Sequence, residues 1–183
     1  MPRFLLTALL ALLAVPASAD WRSVAAESQL EFVPTYDGVE LPGRFNDFEV
    51  RLRFDPDALE NACLEVSVAV DSADMDDSEL NEGIAGPQWF HFERFPRALF
   101  TSTEIRAGEE GSYFADGNLG LKGLTHAVSV PFHWSRFGER AEMEGSLSLS
   151  RSDYSIGTGD WADDDTIGDR VEVRFHVVLH AEP

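Results

Sequence analysis

The feature that most constrains this chain is the alternation of apolar and polar residues on both sides of a Lys122-Gly123 turn. Successive side chains of a β-strand point to opposite faces of the sheet, so a period of two is typical of a strand with one buried face. On the far side of the turn, one face carries Val128, Val130, Phe132 and Trp134. Residues 119–134 therefore predict a β-hairpin.

Similar alternation recurs from Ser28 onward in short segments that Gly, Pro, Asn and Asp interrupt, and no long segment keeps a helical period. The predicted strands are residues 30–32, 48–54, 64–70, 99–105, 113–121, 125–134, 141–149 and 171–181. Between the third and fourth strands, residues 78–82 and 87–92 each predict a short helix, because Pro87 suits a first helical position and Pro96 forbids continuation. The prediction is therefore an all-β fold with a short helical insert.

An eight-stranded antiparallel, lipocalin-like barrel suits this pattern better than a sandwich does. Closure removes exposed strand edges, and eight strands leave an interior for one small ligand. The aromatic residues fall largely on predicted inward faces, which fits either a packed core or a ligand tunnel.

The first 19 residues have the pattern of an export signal. A short basic start precedes an apolar run that is too short to span a bilayer, and Ala17-Ser18-Ala19 provides small residues for cleavage. We expect cleavage near Ala19, a periplasmic location, and a single domain formed by residues 20–183.

The charge is strongly acidic, with a formal net value of −19 from 33 Asp and Glu against 14 Lys and Arg. Such a surface is repelled by nucleic acid and by anionic lipid headgroups, so no nucleic-acid partner is expected and any membrane contact is expected to be transient. Cys63 is the only cysteine, which excludes an intramolecular disulfide.

The sequence contains no spacing of residues that is typical of a catalytic or EF-hand site. The spacing contains no nucleophile elbow and no His-Glu-x-x-His motif, so the prediction is a protein that is not an enzyme and has no catalytic residues. Residues 74–79 and 163–168 are acidic, but the first has Glu79 where an EF-hand needs glycine, and the second has Ile167 in place of a ligand. No metal site is predicted, while looser calcium binding by these loops stays an open alternative.

Several motifs, in order and spacing, resemble the YceI-like family along nearly all of residues 20–183. They are Ser28-x-Leu30-x-Phe32, Gly43-Arg44-Phe45-x-x-Phe48, Phe54-Asp55-Pro56, Trp89-Phe90, Phe95-Pro96-x-Ala98-x-Phe100-x-Ser102, the residues 119–134 hairpin, and Arg151-Ser152-Asp153-Tyr154-x-Ile156-Gly157 with the following Trp161 and Ile167-Gly168-Asp169. The resemblance implies a periplasmic barrel whose apolar bore holds an isoprenoid tail, as in a ubiquinone-like or polyprenyl lipid. No other cofactor is implied.

Strand parity nominates the residues that would line this bore. They are Phe32, Phe48, Leu52, Val68, Val130, Phe132, Trp134, Met143 and Leu147, while Trp89, Phe90 and Phe92 of the insert would close one end. For the motif residues Arg151, Asp153 and Asp169, a structural ion pair and a ligand contact are both open.

The predicted function is therefore binding, storage or transport of an isoprenoid lipid. The alternatives are a ligandless, stress-related interaction module with a self-filled core and an enzyme acting on a lipid head. The partners that the resemblance implies are the isoprenoid lipid and a membrane b-type cytochrome that would receive a quinone. A homodimer formed through a strand edge or the helical insert is a further expectation.

Overall fold

Strands make up most of this computed structural model, which describes residues 19–163 and 166–182. The strands are β1 (Ala19–Ser23), β2 (Gln29–Val33), β3 (Thr35–Tyr36), β4 (Val39–Glu40), β5 (Gly43–Phe45), β6 (Phe48–Phe54), β7 (Cys63–Ala69), β8 (Ala73–Asp74), β9 (Arg97–Ala107), β10 (Ser112–Leu121), β11 (Leu124–Phe137), β12 (Arg140–Ser150) and β13 (Arg170–Ala181), and the α-helix is α1 (Ser78–Ala85). Single turns of 3-10 helix lie at Ala25–Glu27, Leu59–Asn61, Val70–Ser72, Ser152–Tyr154 and Gly159–Trp161. The predicted signal peptide lies outside the described residues apart from Ala19.

Eight strands of the described chain close into an antiparallel barrel. They follow one another as β1, β6, β7, β9, β10, β11, β12 and β13, and β13 pairs with β1 to complete the ring. At the closure, Trp21 lies opposite Leu52 of β6 on one side and Ala181 of β13 on the other. The predicted all-β, eight-stranded antiparallel barrel is confirmed.

Short strands lengthen one end of the barrel wall. The first half of β13 pairs with β2, β2 pairs with β5, and β5 pairs with β8. Two strands, β1 and β2, thus lie one after the other along β13, with a 3-10 turn between them. The predicted 119–134 hairpin is also confirmed, since Lys122 and Gly123 have positive φ angles of 49° and 79° and join β10 to β11 through a tight turn.

A cluster of aromatic side chains fills the end of the barrel at which β11 turns into β12. It consists of Trp21, Phe54, Tyr113, Phe132 and Trp134, and we call it the aromatic plug. The ring centroids of Trp21 and Trp134 are 5.2 Å apart, and those of Phe54 and Trp134 are 5.1 Å apart. Edge-to-face pairs of this kind add about 0.5–1.5 kcal/mol each to the effect of burial. The plug therefore closes this end with tightly packed apolar material.

The opposite end is covered by residues 75–96, which we call the flap. Its helix, α1, begins after Asp77, whose carboxylate accepts hydrogen bonds from the N–H groups of Glu79 and Leu80. The second predicted helix, residues 87–92, is wrong, because this segment forms turns in which His91 has a φ of 55°. A left-handed residue interrupts a right-handed helix.

The flap contacts the barrel through Phe90. The ring of Phe90 packs edge-on against Phe32 and Phe45, with centroids 5.9 Å and 6.2 Å away. Within the described residues, no helix has the length and hydropathy needed to cross a bilayer.

We predict that Trp21→Ala destabilises the barrel strongly. Trp21 is 1% exposed and packs in the plug on the strand that closes the ring, so its loss leaves a large cavity and should lower the free energy of unfolding by about 3–5 kcal/mol. Urea denaturation followed by circular dichroism measures this. The control is Phe137→Ala, an aromatic residue that is 66% exposed, for which the expected change is below about 1 kcal/mol.

Candidate functional site

An apolar cavity of about 150 Å³ lies inside the barrel, and we call it the bore cavity. The described residues that line it are all apolar: Leu30, Phe45, Phe48, Val50, Leu64, Val66, Val68, Ala98, Phe100, Leu119, Leu121, Val128, Val130, Met143, Leu147, Leu149, Val173, Phe175 and Val177. These residues occupy alternate positions on the strands, so the same period of two that forms the wall aims their side chains inward. The site is suited to hydrocarbon.

The predicted bore residues divide into two groups. Phe48, Val68, Val130, Met143 and Leu147 line the bore cavity. The others lie at its ends. Phe132 and Trp134 belong to the plug, and Leu52 is buried opposite Trp21 of the plug. Phe32, Trp89, Phe90 and Phe92 pack in the core at the flap end.

Several residues that line the bore cavity are not among the predicted bore residues, although strand parity identifies them. Leu64 and Val66 share a face of β7 with the predicted Val68, and Leu149 shares a face of β12 with Leu147. Strand parity is therefore the signal that finds them. A larger depression of about 650 Å³ lies on the outer wall, but outward-facing polar residues such as Glu144, Glu172 and Arg174 line it, so it does not suit an apolar guest.

The wall of the barrel is incomplete between β11 and β12. These strands pair from Phe137↔Arg140 to His133↔Glu144, and in the described chain the pairing does not continue beyond that point. Residues 124–132 of β11 still pair with β10, and residues 145–150 of β12 still pair with β13. We call these two mutually unpaired stretches the seam.

Two residues at the start of the seam account for the split. Pro131 has no N–H to donate, and proline is tolerated in a strand where the neighbouring edge is unpaired. At Gly145 the two backbones are very close, because a Cβ there would lie 2.2 Å from the carbonyl oxygen of Pro131. The strands approach closely at Gly145, and their pairing ends beside it.

A second cavity of about 350 Å³ lies at the seam, and we call it the seam cavity. Its lining is mostly polar: His126, Ala127, Val128, Ser129, Leu147, Ser148, Leu149, Ser150, Asp153, Tyr154, Asp169 and Arg170. Val128, Leu147 and Leu149 line both cavities. The apolar interior and a polar opening in the wall thus share side chains.

Arg151 organises the loop beside this opening. Its side chain is buried, and its guanidinium donates to the carbonyl oxygens of Gly168, Ile156, Gly157, Asp163 and Ile167 at 2.9–3.2 Å. A planar fork with five donors matches such a set of acceptors. The sequence left two interpretations open for Arg151, a structural ion pair and a ligand contact. This geometry favours a structural role, but the hydrogen-bond acceptors are main-chain carbonyls and not the carboxylate of an ion pair.

Asp169 fixes the other side of the loop. Its carboxylate accepts hydrogen bonds from the Ser150 hydroxyl and from the N–H of Ser152 at 3.1 Å. The Ser150 hydrogen bond above all, helped by Ser152 and by the charge of Arg151, holds the pKa of Asp169 below its ordinary value despite partial burial. The seam cavity therefore keeps this negative charge at neutral pH.

A model of the YceI-like domain matches residues 21–179 of this chain. The chain belongs to the YceI-like family. Among solved structures, BcnA of Burkholderia cenocepacia is 30% identical and superposes with a TM-score of 0.83 over 85% of this chain and 98% of that one. A polyisoprenoid-binding domain from Saccharophagus degradans, 18% identical, has a TM-score of 0.72 over 88% of this chain and 98% of that one, which shows the shared fold.

The curated relatives of this chain include UPF0312 proteins. A UPF0312 protein of Shewanella denitrificans is 28% identical over 140 residues, which cover 72% of each chain. A UPF0312 protein of Pseudomonas aeruginosa is 30% identical over 124 residues, which cover 63% of each chain. The chain thus spans about two thirds of the length of these relatives.

In this YceI-like barrel, Lys122 joins three segments at the flap end. Its ammonium group donates to the carbonyl oxygens of Pro87 in the flap, at 2.9 Å, and of Ser155 in the loop after β12, at 2.7 Å. The carbonyl of Gln88 accepts from the N–H groups of Gly157 and Thr158 at 2.8 Å and 3.0 Å, so the flap and the loop are also joined directly. Burial lowers the pKa of Lys122 from its ordinary value.

The described residues offer no arrangement for metal chemistry, since no three of their His, Cys, Asp or Glu side chains are placed to hold one ion. Among the residues that the structure describes, no titratable side chain lines the bore cavity. The geometry is that of a container.

We predict that Arg151→Lys destabilises the loop over residues 151–168. A lysine has three donors on a flexible stem and cannot reach five carbonyls, so buried acceptors lose their partners, at a cost of at least about 2 kcal/mol. Hydrogen exchange should show faster exchange of the Gly168 and Ile156 amides, with the strands little affected. Arg97→Lys, at an exposed arginine, is the matched control and should change neither quantity.

We predict that Asp169 contributes to acid sensitivity. Its pKa is lower in the folded than in the unfolded chain, so its stabilising contribution is complete above the unfolded pKa and is lost as the pH falls through the folded value. Between pH 5 and pH 3, the unfolding free energy of the wild type should therefore fall more steeply than that of Asp169→Asn. Equal slopes in urea titrations would contradict this, and Asp160→Asn, an exposed carboxylate in the neighbouring loop, is the control.

Proposed function

We propose that this protein binds an isoprenoid lipid whose tail occupies the bore cavity. The observation that carries the proposal is the lining of that cavity, which is apolar at every position and lies between the plug and the flap. Hydrocarbon gains free energy in such a site in proportion to the apolar area that leaves water, about 25 cal/mol per Å². The Saccharophagus degradans structure, a polyisoprenoid-binding domain of the same fold, supports this choice of ligand class.

The size of the cavity sets a condition on binding. A cavity of about 150 Å³ accepts a molecule such as benzene, whereas pockets for drug-sized ligands measure roughly 300–1,000 Å³. A long prenyl tail therefore requires the barrel to widen. The seam lowers the cost of widening, because separation of residues 124–132 from residues 145–150 breaks no strand pairing.

The energetics favour a carrier or a store. A tail of about 40 carbons at ~0.8 kcal/mol per methylene would exceed the limit of measured affinities from water, so the bound lipid does not escape into solution. Exchange with a bilayer replaces apolar surroundings with apolar surroundings, and its free energy is near zero. Fit and head-group hydrogen bonds then select the lipid.

The proposed location is the periplasm, after cleavage near Ala19. Cleavage there leaves residues 20–23 of β1, including Trp21 of the plug, in the mature chain. The guest would be a ubiquinone-like or polyprenyl lipid, and a membrane b-type cytochrome would be an acceptor for a quinone. The net charge of −19 favours brief contact with anionic membranes. A homodimer is a further proposal.

A second candidate function is a ligandless, stress-related interaction module. The small volume of the bore cavity and the aromatic plug favour it, because together they describe a core that is largely filled by its own side chains. The two candidates differ in whether purified protein carries lipid.

Val130→Trp tests the proposal. Val130 lines the bore cavity, and an indole at that position should occupy the space of the tail while costing about 1–3 kcal/mol of stability through overpacking. We expect mass spectrometry of organic extracts to find an isoprenoid at near one equivalent in the wild type and a loss of most of it in the folded variant.

Val39→Trp is the matched control, because Val39 is 69% exposed and the same substitution there leaves the interior unchanged. Equal lipid content in folded Val130→Trp and Val39→Trp would place the lipid elsewhere. A wild type that is folded and free of lipid after mild purification, and that takes up none from vesicles, would favour the interaction module.

A further inference from the structure

The hydroxyl group of Tyr154 is buried without a hydrogen-bond partner. Tyr154 is 2% exposed, and among the described residues its hydroxyl is the buried side-chain oxygen or nitrogen that lacks a partner. Such a group costs free energy in the folded protein, about 1–3 kcal/mol, unless a ligand or water satisfies it. The hydroxyl has almost no surface open to a water-sized molecule, so a small shift of the ring accompanies its contact with an oxygen acceptor.

Tyr154 belongs to the lining of the seam cavity. It follows β12 in the 3-10 turn Ser152–Tyr154, and its ring packs edge-on against the His126 imidazole, with centroids 5.0 Å apart. The seam cavity shares Val128, Leu147 and Leu149 with the bore cavity. One elongated molecule can therefore have an apolar part in the bore and a polar part beside Tyr154.

The charges around the seam cavity indicate which polar part fits. Two carboxylates, Asp153 and Asp169, line the seam cavity, with Arg170 as the arginine of the lining. The nearby guanidinium of Arg151 is already engaged with main-chain carbonyls. A phosphate or diphosphate would meet excess negative charge, whereas an uncharged oxygen acceptor would not.

The phenol itself stays a donor at neutral pH. Burial, together with the nearby charge of Asp153, raises the pKa of Tyr154 above its ordinary value of 10.0, so the hydroxyl keeps its proton. A phenol O–H donates to a quinone carbonyl or to an alcohol oxygen.

We propose that the seam cavity binds the uncharged, oxygen-bearing head of the isoprenoid lipid, with the Tyr154 hydroxyl donating a hydrogen bond to that oxygen. This inference rests on the proposed function, since it places the head of a lipid whose tail lies in the bore. It selects a quinone or a prenyl alcohol over a prenyl phosphate, and it assigns to the seam both the polar site and the opening through which the head remains near solvent.

The experiment compares the affinities of prenyl ligands that carry a polar head group with the affinity of a prenyl hydrocarbon that has none. The delipidated full-length mature protein and its Tyr154→Phe variant are titrated with geranylgeraniol, with decylubiquinone, with geranylgeranyl diphosphate and with a prenyl hydrocarbon that has no head. Loss of one hydrogen bond should weaken binding of the alcohol and the quinone by about 3- to 10-fold and leave the affinity for the hydrocarbon unchanged. The wild type should bind the alcohol more tightly than the diphosphate.

Stability separates a ligand contact from a structural role. Because the hydroxyl has no partner in the described protein, Tyr154→Phe should leave the thermal midpoint of the ligand-free protein unchanged or slightly higher. Tyr113→Phe removes the same group from the aromatic plug at the other end of the barrel and should leave all four affinities unchanged.

Three different results would contradict three different parts of the proposal. Hydrocarbon binding with an unchanged affinity for the alcohol and the quinone in Tyr154→Phe would overturn the head site and leave the tail-binding function standing. Tighter binding of the diphosphate than of the alcohol would overturn the preference for an uncharged head. Absence of binding for all four ligands in the wild type would overturn the proposed function, and the head site with it.

Discussion

The pairing of β13 with strands on both of its sides is the constraint on which this structure depends. On one side β13 pairs with β12 over its whole length, and on the other it pairs first with β2 and then with β1. Because this second side is divided between two strands, the wall closes into a ring at one end and extends through β2, β5 and β8 at the other. An interior exists only because this closure satisfies the edge strands.

At the seam, part of one β-ladder is absent, and the barrel therefore lacks some of the hydrogen bonds that hold its wall together. Hydrogen bonds between strands hold a wall at fixed circumference, and the unpaired stretches of β11 and β12 have no such bonds with each other. Unpaired edges ordinarily invite association with other chains. On the unpaired edges of the seam lie Ser129, Ser148 and Ser150, so these edges carry polar side chains. The hydroxyl of Ser150 already donates a hydrogen bond to the carboxylate of Asp169.

Most of the fold could be predicted from the sequence because strand parity is a local property. Phe48 and Leu52 of β6 are buried as the alternation predicts. The closing strand β1 could not be predicted from alternation, because its five residues include a single large apolar side chain, that of Trp21. The prediction of a second helix over residues 87–92 was wrong because no local sequence signal indicates the left-handed conformation of His91.

The candidate site was predicted less completely, for a related reason. The residues facing the bore follow from parity, but the positions of the plug, the flap and the seam along the barrel axis depend on register between distant strands, which no single segment encodes. The motif Arg151-Ser152-Asp153-Tyr154 is visible in the sequence as a family pattern. That Arg151 would bind carbonyls and that the Tyr154 hydroxyl would lack a partner both follow from the path of the loop that returns over residues 156–168.

The aromatic plug also gives the barrel a direction. The plug fills one end of the barrel and the flap covers the other, so in the described chain the seam is the part of the wall that lacks strand pairing. If the lipid proposed above enters there with its tail first, it leaves with its head first. Under that proposal, the packing of Trp21, Phe54 and Trp134 sets the direction of exchange as well as the stability of the fold.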